Sequence, residues 1–529
     1  MTESTHTDVI VVGAGLAGSI TATELARAGY SVLCLEQGDW PHYGRDGVVH
    51  DLESETAAER CWKRDPNDRD NSSDYPIDDS ESDVAALMWN GVGGSTVLYL
   101  SKWNRMTPGD FRVKSQDGVA EDWPISYEDL EPFYVEVESQ LKIGGLSGDP
   151  AYPKGEGPLL PPIPLRDFGR LIAKAFNDRG MAWWPGASSV FPGKRRLKSS
   201  EMDGAVKMST DVRLWPEALS LGVELRTHSR VSRVLTEGDR AVGCEYVDRG
   251  GKRHSVYADS VILCANGIGT PRILLMSKCE QHPDGLANSS GLVGKRLMMH
   301  PFGAVAGVFD HDIESAVSPL GQQLQSMHFY ESDPSRGFVR GVKWGLQPTG
   351  GPLSLTRSYP WEAANESLWY ENFHSTVKRR YNRSAMFSFV GEDLPLESNR
   401  VELDEESSDD SGLPGVKIRY RADDNSRALL EWHTREAKEV FLAAGAIDVV
   451  AAPMVRQSGW HLMGTAVMGD DPRTSVTDKH GRCHDISNLY IFDSSTWVTS
   501  GGLNPVATQA ALALWSTRAF IAEGKIHEK

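Results

Sequence analysis

Two polar side chains near the C-terminus have the types and setting for acid–base chemistry on an oxygen atom. His461 stands in Trp460-His461-Leu462-Met463-Gly464-Thr465, and Asn504 in Gly501-Gly502-Leu503-Asn504-Pro505. Histidine titrates near neutrality and can take or hold a proton at working pH, while a carboxamide orients a hydroxyl by hydrogen bonding. Between them, the apolar run Leu489 to Phe492 ends in Asp493-Ser494-Ser495 and reads as a strand running into a turn. Pro505 suits a first helical position and Ala507 to Ala519 is rich in helix formers, so Asn504 stands at a helix N-terminus. That end carries partial positive charge and free N–H groups, so whatever it faces should be electron-rich. The plainer account makes His461 a core histidine satisfied by backbone and Asn504 a helix cap. The glycine-rich neighbours and the strand–helix junction favour chemistry. His300, beside Pro301, has no base-like setting and reads as structural.

Such groups need a frame, and the N-terminus supplies its clearest part. Asp8-Val9-Ile10-Val11-Val12 runs into Gly13-Ala14-Gly15-Leu16-Ala17-Gly18, then a helical pattern to Ala28, Gly29, and a second apolar run, Ser31 to Leu35, ending at Glu36. Strand, glycine turn, helix, strand and acid come in the order of a dinucleotide-binding fold. Gly13 permits the tight turn, Gly15 lets backbone approach a pyrophosphate, Gly18 lets helix pack on strand, and Glu36 can accept hydrogen bonds from a ribose diol. A second cluster, Trp89-Asn90-Gly91-Val92-Gly93-Gly94-Ser95-Thr96, is bare enough to touch a ligand, and Ser260 to Ala265 meets a third at Asn266-Gly267-Ile268-Gly269. A flavin ring, anionic at its pyrimidine end when reduced, would suit the helix end after Asn504.

A chain of 529 residues is too long for one ordinary core, and 40% hydrophobic content leaves ample material to bury. The formal charge of −18 argues against nucleic acid or an anionic membrane surface as partner. Six cysteines show no C-x-x-C pair, and Cys483-His484 has no third ligand near it, so no metal site is expected. No apolar run approaches the ~18 residues of a membrane span, and Met1 to Asp8 lacks a leader pattern; a cytoplasmic location is expected. The polar stretch Asp51 to Asp83 reads as a long solvated connection. Residues 1–110, 205–300 and 453–529 are assigned to a cofactor-binding domain. Residues 111–204 and 301–452, with strand candidates at Val401 to Leu403 and Val416 to Tyr420 and an aromatic insert from Trp344 to Tyr381, form a second.

The fingerprint Gly13 to Gly18, the Gly93-Gly94-Ser95 loop, the Gly267 to Ser277 and Leu297 to Pro301 segments, and the region His461 to Asn504 together resemble the glucose-methanol-choline family of FAD-dependent alcohol oxidoreductases, along the whole chain. Softer similarity, at Val92 to Thr96 and Gly391-Glu392-Asp393-Leu394-Pro395, points to the branch of pyranose oxidases and bacterial glycoside 3-oxidases. The resemblance implies an α/β architecture: a Rossmann-like FAD-binding domain and a discontinuous substrate domain built on a large antiparallel sheet. His461 matches the catalytic histidine and Asn504 the second catalytic position. Glu36 matches the adenosine-ribose ligand, and Asp493 lies beside the ribityl and pyrophosphate. Further cofactor contacts are expected from Leu16, Ala17 and Val231, and from Pro505 and Val506. Members with histidine-linked flavin carry that histidine four residues after the second glycine of the pair; here the position is Leu98, which implies non-covalent FAD.

Oxidising an alcohol removes a hydroxyl proton and a carbon-bound hydride, and the developing alkoxide needs a base or positive charge beside it. His461 is expected to take the proton while hydride passes to flavin N5. The expected substrate is a secondary hydroxyl of a pyranose sugar or glycoside, oxidised to a ketone, with oxygen or another acceptor reoxidising the flavin. Trp361 and Trp369 offer flat faces for such a ring; the alternative is that the insert packs internally. A non-sugar alcohol, a lyase with non-redox FAD, and a non-catalytic dinucleotide sensor remain open, as does the oligomeric state.

Overall fold

The computed structural model describes residues 6–41, 74–155, 157, 160–191, 206–316, 322–349, 355, 360, 361 and 373–527. Two sheets organise it. In the first, the strands run in the order Glu224–Arg226, Val32–Leu35, His6–Val12, Arg253–Leu263, Arg240–Val247 and Arg230–Glu237. Val9 to Val12 and Val32 to Leu35 are buried throughout, as expected for parallel strands covered on both faces. Arg253–Leu263 is shared: Arg253 to Tyr257 pair antiparallel with Gly243 to Val247, whereas Val261 to Leu263 pair parallel with Leu489–Ile491. The parallel strands therefore end side by side at Gly13, Glu36, Cys264 and Phe492, and ligands of open α/β sheets bind outside such carboxyl ends.

The C-terminal helix Val506–His527 packs on helix Leu16–Arg27 and on helix Tyr127–Gln140. It is apolar on all sides near its start, with Ala507, Ala510, Ala511 and Leu514 fully buried. Trp123, Ile125, Leu130, Tyr134 and Val137 join this same core. The apolar side chains of this stretch of 111–204, assigned from sequence to the second domain, thus pack with the first sheet's core.

The second sheet is antiparallel in every pairing, in the order Asp448–Ala452, Phe302–Val308, Ser384–Gly391, Val342–Pro348, Leu324–Ser326 and Trp184–Pro185. On one face Val305, Trp344, Leu346, Phe387 and Phe389 form a core with helices Asp167–Asp178 and Asp424–Ala443. The alternate residues face the other way. A third, small sheet pairs Arg400–Ser408 with Pro414–Tyr420, and Pro414–Tyr420 in parallel with Ile77–Ser82. This corrects the reading of Asp51 to Asp83 as solvated connection for its last part. The acidic strand forms because Lys417 lies 3.4 Å from Asp78 and 2.8 Å from Glu81, and Arg419 also pairs with Glu81. Residues 51–73 lie outside the described residues.

Candidate active site

A cavity of about 530 Å³ begins at the carboxyl ends of the first sheet's parallel strands and reaches the open face of the second sheet. Its deep end is a cradle of backbone. Gly13 has φ +103°, and a Cβ there would lie 2.4 Å from the Cys264 carbonyl oxygen; a Cβ on Gly94 would lie 2.8 Å from Gly15 Cα. The two glycine turns thus touch, and only bare backbone fits both positions. Glu36 accepts from the amides of Ala14 (2.8 Å) and Gly38 (2.9 Å); burial pushes its pKa up, against those hydrogen bonds. Asp493 is held by the Asn266 amide (3.1 Å), the Thr270 hydroxyl (2.5 Å), and the amide (2.8 Å) and hydroxyl (2.6 Å) of Ser495. Burial raises its pKa and these donors oppose the rise.

Gly13, Gly15, Leu16, Ala17, Glu36, Gly94, Ser95, Val231, Asp493, Pro505 and Val506 all line this cavity, with His461 and Asn504. Gly18, Gly93 and Gly267 do not. A Cβ on Gly18 would sit 1.9 Å from the Gly13 oxygen, so its absence lets the helix start against the turn. Gly93 fixes the second glycine loop instead: its carbonyl accepts from Thr96 (2.6 Å) and Thr210 (3.2 Å). At Gly267 a Cβ would meet the Leu462 carbonyl at 2.5 Å, and the Gly267 carbonyl accepts from Thr465 at 2.8 Å. Gly267 therefore buttresses the segment that carries His461.

At the other end His461 faces a residue that sequence reasoning passed over. His300 Nδ1 lies 2.8 Å from His461 Nδ1, with the rings edge to face, and His300 Nε2 lies 3.1 Å from the Ser500 carbonyl oxygen. The reading of His300 as lacking a base-like setting needs correction, because the fold brings it into direct contact with His461. A carbonyl only accepts, so His300 Nε2 carries a hydrogen. Burial pulls the His300 pKa down to about 4, so the ring is neutral and its Nδ1 is a lone pair. His461 Nδ1 must then donate, which leaves the lone pair of His461 on Nε2. Burial, then His300, Lys343 and Lys102, hold the His461 pKa well below the ordinary histidine value.

Asn504 is oriented in the same way. Lys343 Nζ, a donor, lies 2.6 Å from Asn504 Oδ1, 2.9 Å from Gln322 Oε1 and 3.2 Å from Asn104 Oδ1. With Oδ1 engaged, the Asn504 NH₂ is the part left for the cavity. Asn504 does not work as the helix cap of the plainer account: the helical ladder starts with the Gln509 amide donating to Pro505 at 2.9 Å.

A rigid layer backs these pairs. Asp393 Oδ2 accepts from the Met299 amide (2.8 Å) and the Tyr420 hydroxyl (2.7 Å), tying down the chain next to His300. Arg340, fully buried, binds Glu392 at 2.9 Å and Asp110; Asp110 takes the Tyr330 hydroxyl at 2.9 Å, and that hydroxyl accepts from the Gly502 amide at 2.9 Å. The Gly391 to Pro395 segment is thus a clamp behind the site.

Among the described residues, no aromatic side chain of the insert lines the cavity. Trp361 is 1% exposed, stacks on the Arg380 guanidinium at 3.9 Å and packs with Leu355, Ala306 and Met386, outside the cavity lining. Trp344 is buried on the helical side of the second sheet, its indole N–H donating to His433 at 2.9 Å. Trp369 lies outside the described residues. Sequence reading also missed Lys102, Lys343 and Gln347. Lysine and glutamine alternating with Trp344 and Leu346 along Val342-Lys343-Trp344-Gly345-Leu346-Gln347 was a usable signal, since period-two patterning puts them on the face opposite the core.

A dinucleotide cradle that opens onto an imidazole–carboxamide pair beneath an antiparallel sheet defines a flavin-dependent oxidoreductase. Models described as GMC oxidoreductase match residues 193–302 and 395–513, and one described as FAD dependent oxidoreductase matches residues 8–52. A 2-methyl-1,2-propanediol dehydrogenase of Mycolicibacterium austroafricanum is 38% identical, covering 97% of this chain and 95% of its own. The fructose dehydrogenase large subunit of Gluconobacter japonicus is 26% identical, covering 98% of each. Among solved structures, an Aspergillus oryzae formate oxidase variant superposes with a TM-score of 0.68 at 17% identity, covering 99% of this chain and 100% of its own. The chain belongs to the GMC oxidoreductase family and is an FAD-dependent oxidoreductase acting on alcohols.

Proposed function

We propose that this protein oxidises one hydroxyl of a polyhydroxylated alcohol, with His461 as base, Asn504 as the group that holds the hydroxyl oxygen, and FAD bound without a covalent link. The observation that carries this reading is the chain from Ser500 to His300 to His461. It leaves a neutral imidazole with its lone pair on the nitrogen available to the cavity, where a hydroxyl proton can be accepted. The Asn504 NH₂ can donate to the same oxygen as it gains negative charge. Lys343, behind Asn504, donates to its Oδ1 and fixes which end of the carboxamide faces the substrate; burial, then Lys102, hold its own pKa well below the ordinary lysine value.

The cradle suits FAD: Glu36 would hold the adenosine ribose, the turn from Gly13 to Ala17 the pyrophosphate, and Pro505 and Val506, at a helix start, the flavin's electron-rich end. FAD, when bound, supplies the hydride acceptor. Leu98 lines the cavity where a linking histidine would stand, so acid precipitation should release yellow cofactor into the supernatant. Flavin retained in the pellet would overturn the non-covalent assignment.

A relative at 38% identity is named for a vicinal diol and a more distant one for a sugar, which favours substrates with several hydroxyls. The sugar form of this reading is oxidation of a secondary hydroxyl of a pyranose or glycoside to a ketone; its support is the motif similarity at Val92 to Thr96. Anaerobic mixing with diols, sugars, glycosides and aryl alcohols tests the class. Bleaching of the flavin absorbance by diols or sugars ahead of aryl alcohols is expected, and the reverse order would refute it. Admitting air afterwards decides whether oxygen or another acceptor takes the electrons.

A further inference from the structure

The cavity wall beside Asn504 carries polar groups that proton removal does not use. Lys343, Gly345 and Gln347 share one face of strand Val342–Pro348, about 7 Å apart in sequence order, while Trp344 and Leu346 point into the core behind. Lys343 is spent on Asn504. A Cβ on Gly345 would lie 2.8 Å from Gln322 Oε1, and opposite it in the ladder stands Ser388, whose Oγ lies 2.6 Å from Lys102 Nζ. Lys102 enters from the neighbouring loop and lines the cavity, 6% exposed. Among the described residues Ser388 is its one hydrogen-bond partner and no carboxylate pairs with it.

The Ser388 hydroxyl donates to the Gly345 carbonyl at 3.4 Å, so Lys102 is the donor to Ser388. Burial lowers the Lys102 pKa to about 7, and in either form a donor is left over: the ammonium keeps two N–H groups and the amine one. The next residue on that face, Gln347, also lines the cavity and is 8% exposed; its Oε1 is buried and accepts from no described residue. Unused donors and an unused acceptor on the wall of one cavity call for a partner that both accepts and donates. A hydroxyl does both. A carboxylate would satisfy Lys102 but would set a negative oxygen against Gln347 Oε1.

Resting on the alcohol-oxidation reading, we propose that Lys102 and Gln347 form a second oxygen subsite that binds a substrate hydroxyl other than the one oxidised, Lys102 Nζ donating to its oxygen and Gln347 Oε1 accepting its proton. The site is thereby built to prefer diols and longer polyols over mono-alcohols, with Ser388 as the residue that positions Lys102.

The test uses the FAD-loaded protein and three probes, 1,2-propanediol, 1-propanol and glycerate, with anaerobic flavin reduction followed in stopped flow. Lys102→Met and Gln347→Leu should each lower the ratio of reduction efficiency for 1,2-propanediol over 1-propanol by roughly 10-fold or more, the effect of losing one well-made hydrogen bond. The flavin spectrum of each variant verifies that it is loaded, and either variant alone suffices if the other fails to fold. An unchanged ratio in the loaded variants would overturn the subsite. A ratio lowered for glycerate but not for the diol would place a carboxylate there and overturn the hydroxyl assignment. Wild-type protein whose flavin no alcohol bleaches would overturn the alcohol-oxidation reading itself, which is a distinguishable failure.

Discussion

At the scale of single residues, the site is set by what stands behind it. His461 owes its tautomer to His300, and His300 owes its own to the Ser500 carbonyl. Replacing His300 by Phe should slow flavin reduction by ~10- to 100-fold, the cost of leaving the buried His461 Nδ1–H without its acceptor. His300→Gln should recover much of it, because its NH₂ can donate to Ser500 while its oxygen accepts from His461. Equal rates in the two variants would remove His300 from the account. The depressed His461 pKa has a direct consequence. The base stays neutral through the ordinary histidine range near 6.5, so the acid limb of the reduction rate should lie below that value. An acid limb at or above 6.5 would show that His461 is not buried among cations as described. Sequence alone made His461 and Asn504 legible because they sit in short, ordered motifs. His300, Lys102 and Lys343 were hidden because their partners are 161, 286 and 161 residues away in the chain.

Among the elements, the parallel strands that end at the cradle, Val9 to Val12, Val32 to Leu35, Val261 to Leu263 and Leu489 to Ile491, were legible, since apolar runs ending in turns have few alternative readings. In the second domain only Val401 to Leu403 and Val416 to Tyr420 were legible, and both lie in strands. The acidic strand Ile77–Ser82 has no apolar pattern and exists because basic Lys417 and Arg419 stand beside it. Likewise, an aromatic-rich segment has the same composition whether it lines a cavity or fills a core. Trp361 settles on the side of packing, which gives a prediction at this scale. Trp361→Ala should cost about 3 to 5 kcal/mol of stability and lower the melting temperature, with the Michaelis constant for a diol changed less than about 2-fold. A raised Michaelis constant at unaltered melting temperature would instead put this residue at the substrate. Gly94→Ala offers a complementary check on the cradle. With φ +54° and Gly15 Cα only 2.8 Å from the new Cβ, FAD retention should fall sharply, whereas a loaded Gly94→Ala protein would show that the two turns can part.

For the whole molecule, burial of several histidines couples folding to pH. His300 is held at about 4, His433 at about 3, and His461 below its ordinary value, so between pH 6.5 and 4 these three bind more protons in the unfolded chain than in the folded one. Their contribution is present above pH 6.5 and is lost as pH falls, on the order of 3 kcal/mol for His300 alone. Buried carboxyl groups, among them Glu36, Asp110, Glu392, Asp493 and Asp393, the last raised to about 6, work the other way, so the histidine share is read by difference. Between pH 7 and pH 5 the urea midpoint of His433→Asn should fall less, or rise more, than that of the wild type; the same pH dependence in both would contradict a buried, neutral His433. The two sheets, the cradle and the paired imidazole and carboxamide serve one event, removal of a hydroxyl proton beside the flavin. The most direct test is single-turnover anaerobic flavin reduction by 1,2-propanediol in wild-type protein and His461→Ala, both loaded with FAD. The account predicts bleaching in the wild type and a rate ~10²- to 10⁴-fold lower in the variant, about 3 to 5 kcal/mol of barrier. Equal rates in the two proteins would contradict it.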